Sequence, residues 1–177
     1  MLKTIDDFSR DAVLSVADLM CTSAITAPKG RGRDTIVCAI LTGEEKDALR
    51  DEMFKLGLIP GSEFFLRDAG NLDKSDCVVL IGCKDTFMGL PNCSQCGFPN
   101  CSGTKQAGAP CTFNAVDLGI AIGSAVSVCA EHHIDSRVMF SVGRAALTSG
   151  IMPPEIKLCY GIPLSVSCKS IFFDRVK

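Results

Sequence analysis

Cys93, Cys96, Cys101 and Cys111 fall in the spacing C-x2-C-x4-C-x9-C. Thiolates are soft ligands, and four of them this close in sequence can wrap one soft metal centre, an iron–sulfur cluster or a zinc ion. The run Leu90-Pro91-Asn92-Cys93-Ser94-Gln95-Cys96-Gly97-Phe98-Pro99-Asn100-Cys101 has the composition of a loop, and a Gly-rich stretch carries it on to Cys111. Cysteine is an ordinary small hydrophobe in a core, but thiols gathered in a Pro/Gly/Asn/Ser loop need another reason to be there. Structural zinc usually takes two C-x2–4-C pairs with a spacer between them. Here there is one such pair, so the spacing favours a [4Fe–4S] cluster, with a zinc-stabilised interaction module as the alternative. Gly97 would let the backbone bend close to inorganic sulfide, Phe98 and Pro99 would exclude water, and a nearby Lys105 would favour the more negative reduced state.

The rest of the composition fits a redox role better than its competitors. Eleven cysteines in 177 residues is a high and odd number, and the start Met1-Leu2-Lys3-Thr4-Ile5-Asp6-Asp7 lacks an apolar signal segment. A reduced cytoplasmic compartment, with a hint of an anaerobe, is therefore expected. Cys21, Cys38, Cys77, Cys129 and Cys159 lie on apolar periodic faces and read as core residues. Cys168, beside Lys169, reads as a surface position. His132 and His133 follow an apolar helix and read as its C-terminal cap rather than as ligands. A net charge of −2 and a pI near 5.7 leave no basic face for nucleic acid or an anionic membrane. No Ser/His/Asp grouping, P-loop or dinucleotide fingerprint is present.

The elements that must position these residues follow from periodicity. Val13, Val16, Ala17 and Met20 recur at helical spacing, which predicts a helix over 9–26. A basic loop, 27–34, breaks it with Pro28, Gly30 and Gly32. A buried strand over 35–42 is followed by a helix over 43–56, entered through a Thr42/Glu45 capping box and closed by Gly57. Residues 61–67 read as a short extended piece and 77–83 as a second central strand. The cysteine loop spans 84–111. A buried apolar helix follows over 114–132; its uncharged core, 118–130, is too short for a bilayer, which needs about 20 residues, and Gly119 and Gly123 suggest close packing on a neighbouring backbone, such as that of another subunit. Strands over 137–142 and 157–160, a short helix over 143–149 and an arm or edge strand over 171–173 complete the chain. The class is a mixed α/β (α+β) layer fold, a single domain over 1–177 with the cysteine loop inserted in it.

Three resemblances accompany these residues. The run Leu-Pro-x-Cys-x-x-Cys-Gly-x-Pro-x-Cys resembles the [4Fe–4S] segment of corrinoid iron–sulfur proteins and of Rnf-type electron-transport subunits. Cys93, Cys96 and Cys101 match it position by position. The fourth ligand comes later in those families, so Cys111, or in its place Cys83 or Cys129, is implied. The whole chain resembles a prokaryotic family of ferredoxin-domain-containing proteins found largely in anaerobes. The matching pieces are Thr26-Ala27-Pro28-Lys29-Gly30-Arg31-Gly32, the cysteine run and the tail from Gly161 to Arg175. Outside the cysteine loop, Ala27-Pro28 after the first helix, the long helix after 114 and Gly161-Ile162-Pro163 as a closing turn are similar in order to the nitroreductase fold. That resemblance implies a layered sheet flanked by helices, a homo-oligomer and FMN at the subunit interface. The family's Arg-rich N-terminal stretch is missing, so Arg31, Arg33, Lys169 and Arg175 are the implied phosphate ligands. Together these features imply an iron–sulfur protein that passes electrons to a redox partner protein or a small acceptor, or an FMN-dependent oxidoreductase in which the cluster is a relay.

Overall fold

The computed structural model describes residue 2 and residues 4–173. A four-stranded antiparallel sheet in the order β1-β2-β4-β3 forms the middle layer. Its strands are β1 (Ile36–Leu41), β2 (Cys77–Lys84), β3 (Asp135–Ser136) and β4 (Ile156–Ser165). β2 lies between β1 and β4 and has helices on both faces. Its run Cys-Val-Val-Leu-Ile-Gly-Cys is accordingly apolar throughout rather than alternating, and all seven residues are buried. On one face, α1 (Ile5–Thr26) and α5 (Thr112–Glu131) pack over Cys77, Val79, Ile81 and Ile162. On the other, α2 (Gly43–Gly57), α3 (Phe64–Asp73) and α6 (Phe140–Thr148) pack over Val78, Leu80 and Cys159. The predicted layered sheet flanked by helices is the observed architecture.

Several boundaries differ from expectation for local reasons. Residues 64–73 are helical, not extended: Phe65, Ala69 and Leu72 form a buried stripe at helical spacing. The strand expected over 137–142 is not formed: the short β3 lies just before it, only the bridge Met139 to Gly161 falls within it, and α6 begins at Phe140. β4 runs on through Gly161-Ile162-Pro163, which are strand rather than a closing turn. There Gly161 makes room for Val142, and a Cβ on it would lie 2.6 Å from Val142 Cβ. Thr42 does stand at the N-cap of α2, but its side chain makes no capping hydrogen bond. Gly57 is the last residue of α2 rather than a left-handed cap; the side chain of Leu66 occupies the space a Cβ would need. Residues 171–173 form a turn, with Phe172 buried and its carbonyl accepting from Arg137 at 3.1 Å.

The apolar helix α5 differs most from what its composition predicts. It is long and apolar enough by length and composition to cross a membrane, yet only a third of its most apolar window is buried. Leu118, Ala121, Ala125 and Cys129 face α1 and the sheet. Val116, Gly119, Ile120 and Gly123 face outward, and a Cβ on either glycine would meet nothing within 4 Å.

Candidate metal centre

The cysteine segment leaves the sheet at the end of β2 and returns at the start of α5, and side chains clamp both ends together. Asn114, in the first turn of α5, donates to the carbonyls of Lys84 at 3.0 Å and Thr86 at 2.7 Å. Arg33 donates to the Phe87 carbonyl at 3.0 Å and Arg31 to the Met88 carbonyl at 3.5 Å. The loop that carries these arginines is itself fixed. Lys29 caps the C-terminal carbonyls of α1, with Nζ 3.1 Å from Ala24 O and 2.9 Å from Ala27 O. The buried Asp117 carboxylate accepts from Gly30 N–H at 3.0 and 3.1 Å.

Within this clamp the chain adopts repeated left-handed geometry. Asn92 has φ 55° and Ser94 φ 47°, flanking Cys93, and Gly97 with φ 83° follows Cys96. Among the described residues only four non-glycines have positive φ: Asn92, Ser94, Arg31 and His133. Each such residue costs on the order of 1–3 kcal/mol unless its surroundings repay it, so the concentration at Cys93 marks a segment shaped for something other than its own stability. Alternation of right- and left-handed residues turns backbone N–H groups into a concavity of the kind that receives anions and iron–sulfur centres. A short helix, α4 (Cys101–Gln106), follows, with Asn100 as N-cap accepting from Gly103 N–H at 3.0 Å. The buried Thr104 on α4 places its hydroxyl 2.9 Å from Cys96 Sγ. That hydrogen bond, with help from the N–H groups of Phe98 and Cys96 itself, holds the Cys96 thiol below its ordinary range.

All four predicted ligands line one cavity of about 200 Å³, walled by Met88, Leu90, Phe98, Pro99 and Phe113. Cys111, the N-cap of α5, is buried, while Cys93, Cys96 and Cys101 are half-buried and reach solvent. The two substitutes for Cys111 do not line this cavity. Cys83 is buried on β2, where burial, Asp85 and Asp117 push its thiol up to about 11. Cys129 lies near the far end of α5 with its thiol on the Ile134 carbonyl. Among the described residues, no three His, Cys, Asp or Glu side chains are arranged to hold a single metal ion. The four thiols surround a volume rather than a point.

Among the described residues, Arg31 and Arg33 are not brought together with Lys169 within one chain. Arg31 and Arg33 sit at the Cys83 end of the sheet, since β1 starts with Ile36 opposite Cys83. Lys169 follows β4, whose last residues pair beside Cys77 and Asp76 at the other end. The eight residues of β2 separate the two ends by roughly 25 Å. Arg175 lies outside the described residues.

Sequence reasoning named the four cysteines and missed their supports. Asn100 is a preferred N-cap type, and it was the one available signal for α4 and hence for Thr104. Nothing local pointed to Asp117, whose partner lies 87 residues away in sequence.

A relative from Archaeoglobus fulgidus is 40% identical over 99% of this chain and 98% of its own length. The family model described as "Uncharacterized protein containing a ferredoxin domain (DUF2148)" matches residues 107–175. The chain belongs to this family. The matched part begins after Cys101 and takes in Cys111, α5 and β4. Among solved structures, the chain is similar to a nitroreductase with bound FMN from Desulfitobacterium hafniense. The TM-score is 0.59 at 14% identity, over 88% of this chain and 78% of that one. It is also similar to a variant of the FMN and NADPH-dependent nitroreductase NfnB derived from sphigopyxis sp. strain HMH, with a TM-score of 0.60 at 14% identity over 93% and 84% of the two chains. At such identities the likeness establishes the nitroreductase-like fold.

Proposed function

We propose that this ferredoxin-domain protein is a one-electron carrier that holds a single [4Fe–4S] cluster on Cys93, Cys96, Cys101 and Cys111. The observation that carries this reading is the single cavity that all four thiols line. The arrangement of its thiols favours a cluster over one ion. A zinc ion takes sulfur at about 2.3 Å in a closed tetrahedron, and among the described residues no three His, Cys, Asp or Glu side chains are arranged to hold one ion. When bound, the cluster supplies reversible one-electron chemistry. The protein's contribution is the apolar wall, the left-handed turns at Asn92, Ser94 and Gly97 and the Thr104 hydroxyl on Cys96. The half-buried Cys93, Cys96 and Cys101 give a partner protein or small acceptor a short path to the centre, in a compartment reducing enough to keep eleven cysteines as thiols.

Oxygen-free purification with iron, sulfide and zinc analysis tests this. About four irons and four sulfides per chain, with an EPR signal on reduction, are expected. Cys111→Ser should lose the cluster, while Cys83→Ser and Cys129→Ser keep it. A colourless protein with one zinc overturns the reading.

A second reading keeps the cluster as a relay to FMN. It is favoured by the two structural neighbours, one with bound FMN and the other FMN and NADPH-dependent. Within one chain Arg31 and Arg33 are engaged with the cysteine loop and stand far from Lys169, so a phosphate site built from this set requires a second copy. A yellow cofactor released on denaturation supports this reading, and its absence removes it.

A further inference from the structure

Two thiols outside the cluster cavity face each other across the helix–sheet interface. Cys21 lies on the flank of α1 and Cys38 on the edge strand β1, both half-buried at the margin of the core they share. Cys38 Sγ lies 4.0 Å from the Cys21 carbonyl oxygen, and each thiol is the leading influence on the other's ionisation. The other buried cysteines, such as Cys77 and Cys159, sit deep in apolar packing. Cys21 and Cys38 combine close approach across two elements with partial access to solvent.

We propose that Cys21 and Cys38 form a redox-active dithiol that closes to a disulfide with small-molecule disulfides, joining α1 to β1. Cys21 is the attacking group. The neighbouring Cys38 holds the Cys21 thiol below its ordinary value while burial and Asp18 oppose that, and Cys21 in turn pushes Cys38 up. In the first step the Cys21 thiolate bonds to one sulfur of the disulfide and expels the other as a thiolate, which takes a proton from water. In the second, Cys38 gives its proton to solvent, bonds to Cys21 sulfur and expels the second small thiol. The protein loses two electrons and two protons, and one disulfide becomes two thiols.

The chain between the two cysteines makes this more than a local event. It carries Lys29, Gly30, Arg31 and Arg33, the residues that cap α1 and hold the Phe87 and Met88 carbonyls at the entrance to the cysteine loop. Closing the disulfide fixes both ends of that brace. The proposal does not depend on which metal, if any, the cavity takes.

The full-length protein, purified without oxygen, is equilibrated with reduced and oxidised glutathione, alkylated and digested with trypsin. Cleavage after Arg10, Lys29, Arg33 and Lys46 puts Cys21 and Cys38 on separate peptides, 11–29 and 34–46. The expected product is those two peptides joined, two hydrogens lighter than their sum, and released by dithiothreitol. Cys38→Ser should accumulate glutathione on Cys21, whereas Cys21→Ser should leave Cys38 several-fold less modified. Recovery of both cysteines as free thiols under conditions that oxidise the exposed Cys168 overturns the proposal. Iron measured on the same samples separates this outcome from loss of the cluster.

Discussion

At the scale of single residues, Thr104 matters more than its type suggests. It is fully buried on a six-residue helix, and its hydroxyl reaches both Cys96 Sγ and the Asn100 carbonyl. A donor on a ligand sulfur favours the more negative state of a cluster, which is the reduced one. Thr104→Val keeps the shape and removes the donor. The midpoint potential should fall by roughly 20–60 mV, the upper figure being a tenfold change in a one-electron equilibrium. Protein-film voltammetry or an EPR-monitored titration measures it, and an unchanged potential would remove Thr104 from the site. The four cysteines could be read in sequence because loop composition made their clustering conspicuous. Thr104 could not, because its importance arises only when α4 turns it back toward Cys96.

At the scale of elements, long apolar segments such as β2 and α1 were legible because their burial pattern is written in one stretch of chain. Residues 137–142 were misjudged because a β-like composition there serves a helix that leans on the sheet. Gly143 is the point of contact. A Cβ on it would overlap the Cys159 carbonyl oxygen and lie 2.6 Å from Tyr160 Cα. Both are backbone atoms of β4 and cannot turn aside. Replacing Gly by Ala in a helix normally gains up to about 1 kcal/mol, so propensity alone predicts that Gly143→Ala stabilises. The overlap reverses the sign: forcing α6 off β4 should cost on the order of 1–3 kcal/mol net, seen as a lower urea midpoint with an unchanged slope. The buried thiols on these strands set a second limit. Burial pushes Cys77 and Cys159 up to about 12 and Cys83 up to about 11, against an ordinary value of 9.0. Above pH 9 the unfolded chain ionises these thiols and the folded chain does not, so the folded state binds more protons and stability falls as pH rises. Each thiol contributes up to about 1.4 kcal/mol per pH unit until its folded value is reached. Urea melts at pH 8, 9 and 10 should show a steepening loss above 9, which Cys77→Ala reduces.

At the scale of the whole molecule, the uncovered face of α5 decides how the protein exists in solution. Val116 and Ile120 are 50% and 41% exposed, and α5 carries no charge between Asp117 and Glu131. Beside it runs an apolar groove of about 360 Å³, lined by Pro110, Ala115, Leu118, Ile122, Val138 and Tyr160. A 20-residue helix presents a ridge roughly 30 Å long, and a stable interface needs about 800 Å² from each partner. The outward ridge, the groove and exposed apolar residues on α1 such as Leu19 and Ile25 together offer a surface of that kind. Sequence composition alone suggested a fully buried helix, because apolar content does not say whether the cover comes from the same chain or another. A second copy docked here through the small residues Gly119 and Gly123 would pack two α5 helices closely, next to Pro110 and hence to the cysteine-lined cavity at Cys111. Light scattering should therefore give twice the chain mass of 18.8 kDa. Ile120→Asp puts a charge at the centre of that contact and should give the monomer mass with helix content and iron unchanged, because Ile120 takes no part in the core of its own chain. A wild-type protein that already runs as a monomer at high concentration would mean that α5 is covered by something other than a second copy.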